Sequence, residues 1–275
     1  MRAGLLCIRA PAWAVQPATP TELHMTQIEK ASLFAQLHVR GTPLVLCNAW
    51  DAGSAKAIVA AGAAAIATSS WAVAAAQGYD DGENIPAGFV EQIVARIAAT
   101  IDAPVSVDVE GGYGDDDAAL ARYISRLLER GVVGINFEDR MVSGTGLHDI
   151  DRQAQRIATI RRAAERKNIP LFINARTDLF LGGQADPASL MGDALARANA
   201  YAAAGASGFF VPGLRDDALI ARLCKDAPLP VNVMVMDGVS PTTRLAALGV
   251  ARVSYGPIPY IRAMNDLKAA AALLR

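Results

Sequence analysis

Two carboxylates at the end of one apolar run carry the strongest chemical signal in this sequence. The run covers residues 104–109, and Asp108 and Glu110 stand at its end, directly before the glycine-rich stretch 111–114. Because residues two apart in a strand point to the same face, we expect both acids on one side. Two desolvated carboxylates repel each other unless a cation compensates them, whereas a solvated strand end would carry them at little cost. Hard divalent cations prefer oxygen ligands, so the pair predicts a site for such a cation.

A third acid closes another apolar run. Glu138 ends the run 132–139, and we expect it to face the first two acids as a metal ligand; the alternative is a structural salt bridge. Asp139 points to the opposite face of the same strand. We expect Asp139 to pair with its neighbour Arg140.

Groups suited to an anionic substrate follow two other runs. Arg176 lies near the end of the run 170–177, where its planar guanidinium could bind a carboxylate or a phosphonate, or form an internal ion pair with an acid. Ser69 and Ser70 end the run 63–70, where their backbone N–H groups could cradle an oxyanion or simply form a polar turn. A metal ion, an arginine and N–H donors together are suited to stabilising an enolate.

Several other catalytic motifs are missing from the sequence. No lysine ends an apolar run, so a Schiff-base aldolase would lack its nucleophile. The sequence also has no nucleophile elbow, zinc-protease motif or P-loop.

The elements that must position these residues repeat along the chain. Each unit is a short apolar run that ends in polar residues, followed by an amphipathic, alanine-rich segment. The runs are 43–50, 63–70, 104–110, 132–139, 170–177, 208–212, 230–235 and 251–255, and the helical segments are 51–61, 87–101, 115–130, 149–167, 187–204, 215–226, 240–248 and 258–274. Nearly continuous apolar strands are typical of a parallel sheet buried on both faces. Eight units predict an α/β fold, a single-domain (β/α)8 TIM-type barrel with its site at the carboxyl ends of the strands; a doubly wound open sheet is the alternative.

Composition limits the class of protein. Of the 275 residues, 52% are hydrophobic and 19% are charged, and the net charge of −1 gives no reason to expect a nucleic-acid or membrane partner. Scattered cysteines fit a reducing cytoplasm. We expect residues 1–24 to be a poorly ordered N-terminal extension, because they are broken by prolines, and residues 25–275 to form the catalytic barrel.

Taken together, the motifs resemble those of the isocitrate lyase / phosphoenolpyruvate mutase superfamily. The resemblance covers roughly residues 28–262 and keeps the order and spacing of the motifs. It is carried by Asn-Ala-Trp-Asp-Ala-Gly-Ser-Ala at 48–55, Thr-Ser-Ser at 68–70 with Asp81, Asp-Val-Glu-Gly-Gly-Tyr-Gly at 108–114, Gly-Ile-Asn-Phe-Glu-Asp at 134–139, Asn-Ala-Arg at 174–176 and Pro-Val-Asn at 230–232.

The resemblance implies a metal site and a substrate class. It implies a small carboxylate substrate, namely a 2-oxo acid or a precursor of its enolate. It also implies a Mg²⁺ ion, which Mn²⁺ could replace, with Asp108 as main ligand. Glu110, Glu138 and Asp81 would act largely through metal-bound waters. The implied metal residues are Asp108, Glu110 and Glu138, the implied catalytic residues are Asp81, Glu138 and Arg176, and the implied substrate-binding residues are Ser69, Ser70, Arg176, Asn232 and Trp50.

One loop departs from the superfamily pattern and bears on the reaction. The loop 139–148 carries neither the lysine and cysteine of the lyases nor the lysine of the mutase. We therefore expect carbon–carbon cleavage beside a 2-oxo acid, by decarboxylation or retro-aldol reaction, on a substrate such as oxaloacetate or 2-methylisocitrate. A phosphorus–carbon mutase or hydrolase and a non-catalytic binder of 2-oxo acids remain alternatives. The resemblance also implies a homo-oligomer, typically a tetramer formed by helix exchange, which would have to use residues 258–274.

Overall fold

The computed structural model describes residues 25–114, 116–183 and 185–274. The expected N-terminal extension, residues 1–24, lies outside this part of the chain. Within it, no helix is long and apolar enough to span a bilayer.

Nine parallel strands form one nearly closed barrel, as the repeating units predicted. They are β1 (Leu44–Leu46), β2 (Asn48–Ala49), β3 (Ile66–Thr68), β4 (Val105–Asp108), β5 (Gly134–Glu138), β6 (Phe172–Arg176), β7 (Gly208–Phe210), β8 (Val231–Met234) and β9 (Arg252–Ser254). Their order is β1-β9-β8-β7-β6-β5-β4-β3-β2. The first predicted run is divided: β1 pairs with β9 and β2 pairs with β3, so one interrupted strand links both ends of the sheet. The result is a single (β/α)8-type barrel.

Ten helices are described, two more than the sequence predicted. They are α1 (Gln27–Gln36), α2 (Ala52–Ala60), α3 (Ser70–Ala76), α4 (Ala87–Thr100), α5 (Asp117–Glu129), α6 (Ile150–Arg166), α7 (Pro187–Ala203), α8 (Asp217–Asp226), α9 (Thr242–Ala247) and α10 (Ile258–Ala272). The unpredicted helices are α1 and α3. Thr26 and Glu29 begin α1 with a capping box, and Ser69 caps α3.

Helix α1 packs against one end of the barrel. Phe34 on α1 is fully buried, and a Cβ placed on Gly134 of β5 would lie only 2.6 Å from its ring. His38, just after α1, stacks on Phe172 of β6 at 3.9 Å between ring centroids. These contacts put α1 over the amino ends of β5 and β6, which leaves the carboxyl ends of the strands for the candidate site.

Many of the aspartates that follow the strands begin helices. Each accepts a hydrogen bond from a backbone N–H in the first turn of its helix: Asp51 for α2, Asp116 for α5, Asp149 for α6, Asp186 for α7 and Asp216 for α8. An oxygen side chain at this position satisfies an N–H group that has no partner within the helix. These acids therefore have a structural role, and different acids lie in the candidate site.

Candidate active site

A cavity of about 170 Å³ opens at the carboxyl ends of the strands. Its wall includes Ser69, Ser70, Asp81, Asp108, Asn136 and Arg176. Five of these were singled out from the sequence as site residues, and they come from four separate segments of the chain. Asn136 is the exception; it shares a strand face with Glu138, and this spacing of two was the available signal.

One carboxylate oxygen of Asp108 accepts hydrogen bonds from the protein, and the other accepts none within the described part of the chain. Its Oδ2 accepts hydrogen bonds from the Ser70 backbone N–H at 3.2 Å and from the Ser70 hydroxyl at 2.9 Å. Its Oδ1 is buried and has no hydrogen-bond partner among the described residues. A buried carboxylate oxygen without a partner is costly, so this atom is suited to a bound cation.

Glu110 lies outside the strand that was expected to carry it. The strand β4 ends at Asp108, and Glu110 has a positive φ of 49°, so the strand parity that predicted a parallel pair of acids does not extend to it. Its Oε2 accepts hydrogen bonds from the backbone N–H groups of Gly82 and Glu83 at 2.8 and 2.9 Å. Burial, with the charges of Asp81 and Asp108, raises the pKa of Glu110 to about 7.

Glu138 and Arg176 form the internal ion pair that was the alternative prediction for both. Arg176 Nη1 lies 2.9 Å from Glu138 Oε2, and its Nε and Nη2 donate to Asp178 at 2.6 and 3.0 Å. Burial raises the pKa of Glu138 although Arg176 opposes this. Burial would lower the pKa of Arg176, but the charges of Glu138 and Asp178 outweigh it and raise the pKa. Arg176 thus reaches the cavity as a rigidly held cation.

Asp139 does not pair with Arg140, and that prediction was wrong. Its Oδ2 accepts hydrogen bonds from Arg197 at 3.0 Å and from the Tyr201 hydroxyl at 2.9 Å, and both residues belong to α7. The partners of Asp139 are therefore distant from it in sequence. Arg140 instead forms an isolated backbone bridge with Leu147 in the loop.

The two backbone N–H groups expected to cradle an oxyanion already have acceptors. Ser69 N–H donates to the Ala49 carbonyl at 3.3 Å, and Ser70 N–H donates to Asp108. The prediction assumed a loop after β3, whereas α3 begins there. Ser69 and Ser70 line the cavity, but in this arrangement their N–H groups donate hydrogen bonds within the protein.

Two further predicted substrate-binding residues lie away from the cavity wall. Asn232 is buried inside the barrel, where its Nδ2 donates to Ser254 at 3.2 Å. Trp50 is half-buried, and its ring meets that of Tyr260 on α10 edge-on at 5.2 Å between centroids. Neither residue is among those that line the cavity.

Helix α6 holds the ends of both acid-bearing strands. Gln153 Nε2 donates to the Glu138 carbonyl at 2.9 Å, and Arg156 Nη1 donates to Gln153 Oε1 at 3.0 Å. Arg156 also donates to the Gly111 carbonyl, just past β4. The backbone that carries Asp108 and Glu138 is therefore fixed from behind by two buried side chains.

The acids of the site fit a divalent cation bound mainly through one carboxylate. Among the described residues, no three His, Cys, Asp or Glu side chains converge closely enough to hold a metal ion together. Mg²⁺ usually keeps several waters and takes only one or two protein carboxylates. Asp108, with its unpartnered oxygen, fits the role of direct ligand, and Asp81 lines the same cavity. Burial and the charge of Asp108 raise the pKa of Asp81, as a shared acidic site requires.

Comparison with known proteins gives one family and consistent neighbours. The family profile described as phosphoenolpyruvate phosphomutase matches residues 34–275. A solved structure from Burkholderia cenocepacia J2315, provisionally described as a phosphonomutase, is 45% identical with a TM-score of 0.87, and the match covers 91% of this chain and all of that one.

Two further similarities concern proteins with named activities. An oxaloacetate decarboxylase of Chromohalobacter salexigens is 33% identical over 64% of this chain and 61% of its own length. A phosphonopyruvate hydrolase, solved with oxalate and Mg²⁺, has a TM-score of 0.78 over 90% of this chain and 87% of its own. At 20% identity that second likeness establishes the shared barrel fold alone.

Proposed function

This chain belongs to the phosphoenolpyruvate mutase family, an enzyme family within the isocitrate lyase superfamily, and from that premise we propose that it is a Mg²⁺-dependent lyase. Its reaction would break a carbon–carbon bond, either by decarboxylation of a small 2-oxo acid such as oxaloacetate or by retro-aldol cleavage of a 2-hydroxy tricarboxylate such as 2-methylisocitrate. The supporting observation is that one small cavity holds both the unpartnered Asp108 oxygen and the Arg176 guanidinium. A cation site and a fixed cationic clamp together suit a dianionic substrate whose breakdown leaves an enolate.

Arg176 would bind the carboxylate that the substrate retains. A guanidinium has five N–H donors. Asp178 accepts hydrogen bonds from Nε and Nη2 and Glu138 forms an ion pair with Nη1, which fixes the plane of the group and leaves at least one N–H on each terminal nitrogen. Two fixed donors on one plane match the two oxygens of a carboxylate.

Asp108 would hold the cation, with Asp81, Glu110 and Glu138 acting through its waters. When bound, Mg²⁺ supplies a Lewis acid for the oxygen on which negative charge develops. Asp81 is the acid best placed to carry the proton that the enolate carbon needs, because it lines the cavity and its pKa is raised by burial and by Asp108.

A phosphorus–carbon bond reaction is the second candidate. The Burkholderia structure provisionally described as a phosphonomutase is 45% identical to this chain, a higher identity than that of the oxaloacetate decarboxylase. Arg176 would also suit a phosphonate.

A substrate panel distinguishes these reactions. We expect turnover of oxaloacetate or 2-methylisocitrate, lost on chelation with EDTA and restored by Mg²⁺, with Mn²⁺ as a substitute. Asp108→Ala should abolish both turnover and Mg²⁺ binding measured by calorimetry, while Asp226→Ala, at the far end of α8, should retain both.

Turnover of phosphonopyruvate or phosphoenolpyruvate alone would favour the second candidate. Tight oxalate binding without any turnover would indicate a non-catalytic binder, and turnover that ignores chelation would contradict both enzymatic proposals.

We also propose that the protein is a homo-oligomer, with a tetramer as the expected form. Helix α10 buries none of its residues, and its exposed side chains include Ile261, Met264 and Leu267. Apolar side chains that recur along one helix and remain exposed usually mark a contact surface. A second copy of the chain would cover this helix.

A further inference from the structure

The interior of the barrel below the cavity is unusually polar. Barrels of this type are normally filled by branched apolar side chains. Here Arg252 on β9 is fully buried, and it lies among buried polar residues that include Asn136, Asn174 and Ser254. Burying an arginine costs free energy unless its donors have acceptors, and Arg252 Nη1 is buried without a hydrogen-bond partner among the described residues, so the barrel keeps this side chain at a cost.

The Arg252 guanidinium is bonded to the side chain of Asn136. Its Nη2 donates to Asn136 Oδ1 at 3.1 Å, and its Nε donates to Ser254 Oγ at 3.2 Å. Asn174 Nδ2 donates to the same Asn136 oxygen at 2.9 Å. Because a guanidinium can only donate, the atom it meets must be the amide oxygen and not the amide nitrogen. Arg252 therefore fixes which way the Asn136 carboxamide points.

Because the Asn136 oxygen is already engaged by Arg252 and Asn174, the NH₂ group is the part of this side chain that remains available to a ligand in the cavity. Asn136 lines this cavity together with Asp108 and Arg176. Among the described residues, Asn136 Nδ2 donates no hydrogen bond. It is also not one of the buried polar atoms that lack a partner. The group is thus a directed donor at the mouth of the barrel interior.

We propose that Asn136 is a substrate-binding residue whose NH₂ group donates to a carboxylate or keto oxygen of the ligand, and that Arg252 is the positioning residue that sets its orientation. This inference rests on the proposed function, since it assigns a second oxygen of the same 2-oxo acid. Arg176 takes one carboxylate and the cation attracts the oxygens near Asp108. Asn136 lies on β5, next to both β4 and β6, so its donor can meet an oxygen between them.

The charge state of Arg252 is consistent with this role. Burial lowers the pKa of Arg252 to about 9, and the charge of Asp108 opposes the shift. The guanidinium thus remains protonated near neutral pH, and all its nitrogens remain donors. A neutral group that could accept a hydrogen bond would permit the opposite orientation of the Asn136 amide.

Calorimetric titration with oxalate in the presence of saturating Mg²⁺ tests the assignment. The Asn136→Ala variant should bind oxalate roughly 10- to 100-fold more weakly than the unaltered protein, because it loses one hydrogen bond to a charged ligand. Asn136→Asp keeps the shape and the contact with Arg252 but turns an oxygen toward the ligand, so it should bind oxalate more weakly still. Ser106→Ala removes a buried hydroxyl from β4, outside the cavity wall, and should stay within about twofold of the unaltered protein.

A double-mutant cycle distinguishes positioning from a merely structural role. Arg252→Met should weaken oxalate binding in otherwise intact Asn136 protein, but in the Asn136→Ala background it should change binding by less than about threefold. Arg252→Lys retains a cationic donor and should recover part of the affinity. Thermal unfolding confirms that each variant is folded.

The possible outcomes separate this inference from the proposed function. Oxalate binding that tolerates both Asn136 substitutions would overturn the inference alone. Additive effects in the cycle would overturn the positioning role of Arg252. Failure of the unaltered protein to bind oxalate would overturn the inference together with the proposed function.

Discussion

Replacing Glu110 by glutamine should stabilise the metal-free protein near pH 8 and leave its stability near pH 4 almost unchanged. Glu110 is buried beside the charges of Asp81 and Asp108, which together raise its pKa from 4.5 to about 7. Glutamine can still accept hydrogen bonds from the backbone N–H groups of Gly82 and Glu83, and it carries no charge. The substitution therefore removes the ionisation and keeps the main contacts.

The size of the effect follows from linkage. Below pH 4.5 the carboxyl is protonated in both the folded and the unfolded chain, so its contribution to stability is fully present. As the pH rises toward 7, the unfolded chain ionises first, and that contribution is lost. The difference between about 7 and 4.5, at roughly 1.4 kcal/mol for each pH unit, is about 3 kcal/mol. For a chain of this size, about 3 kcal/mol corresponds to a Tm difference of roughly 6–12 °C.

Thermal unfolding in EDTA across pH 4–8 measures this difference. The Tm advantage of Glu110→Gln should grow as the pH rises and level off above 7, and Mg²⁺ should reduce it by stabilising the unaltered protein at high pH. Glu129→Gln is the control, because Glu129 is exposed and Lys167 lowers its pKa, so that substitution should give no such advantage. Parallel pH profiles for Glu110→Gln and the unaltered protein would refute the reasoning.

Three further substitutions test the clamp, the barrel interior and the exposed helix. Arg176→Lys should raise KM for the substrate roughly 10- to 100-fold in steady-state kinetics, because a point charge cannot replace a two-donor fork; an unchanged KM would mean that the arginine serves only its internal ion pairs. Gly134→Ala should lower the free energy of unfolding by about 1–3 kcal/mol in denaturant titration, since its Cβ would lie 2.6 Å from the Phe34 ring and 3.0 Å from Ser106 Oγ; full stability would show that this end of the barrel can relax. Leu267→Glu on α10 should lower the mass measured by light scattering, and an unchanged oligomer would place the contact elsewhere.

The periodic pattern of apolar runs was sufficient to predict the barrel, because each strand is buried on both faces and each helix has one apolar stripe. The pattern did not predict elements that are short, or elements that are stabilised by contacts with residues distant in sequence. Helix α3 has only 7 residues and continues directly from a strand, so its alanines read as part of a longer run. Helix α1 contacts β6, which lies more than 130 residues later in the chain, and no local sequence pattern predicts that contact.

The residue types of the site were predictable, but their contacts were not. The position of Asp108 at the end of β4 follows from its sequence. Which of its oxygens has a partner depends on Ser70, the first residue of α3, which comes from a different part of the chain. The role of Arg252 was not predictable, because a single arginine in an apolar run resembles an exposed strand residue. Its spacing of two from Ser254 was the available sign that both point into the barrel.

Glu138 and Asp139 show how one strand end divides its acids between chemistry and stability. Glu138 faces inward and pairs with Arg176 at the cavity, while Asp139 faces outward and joins Arg197 and Tyr201 of α7. Asp139 also accepts a hydrogen bond from the backbone N–H of Asp178, the residue that holds Arg176. The outward ion pair thus anchors the loop that orients the inward one. Asp139, which does not reach the cavity, can therefore affect how Arg176 presents its remaining donors. This coupling arises because adjacent residues of a strand face opposite sides of the barrel wall.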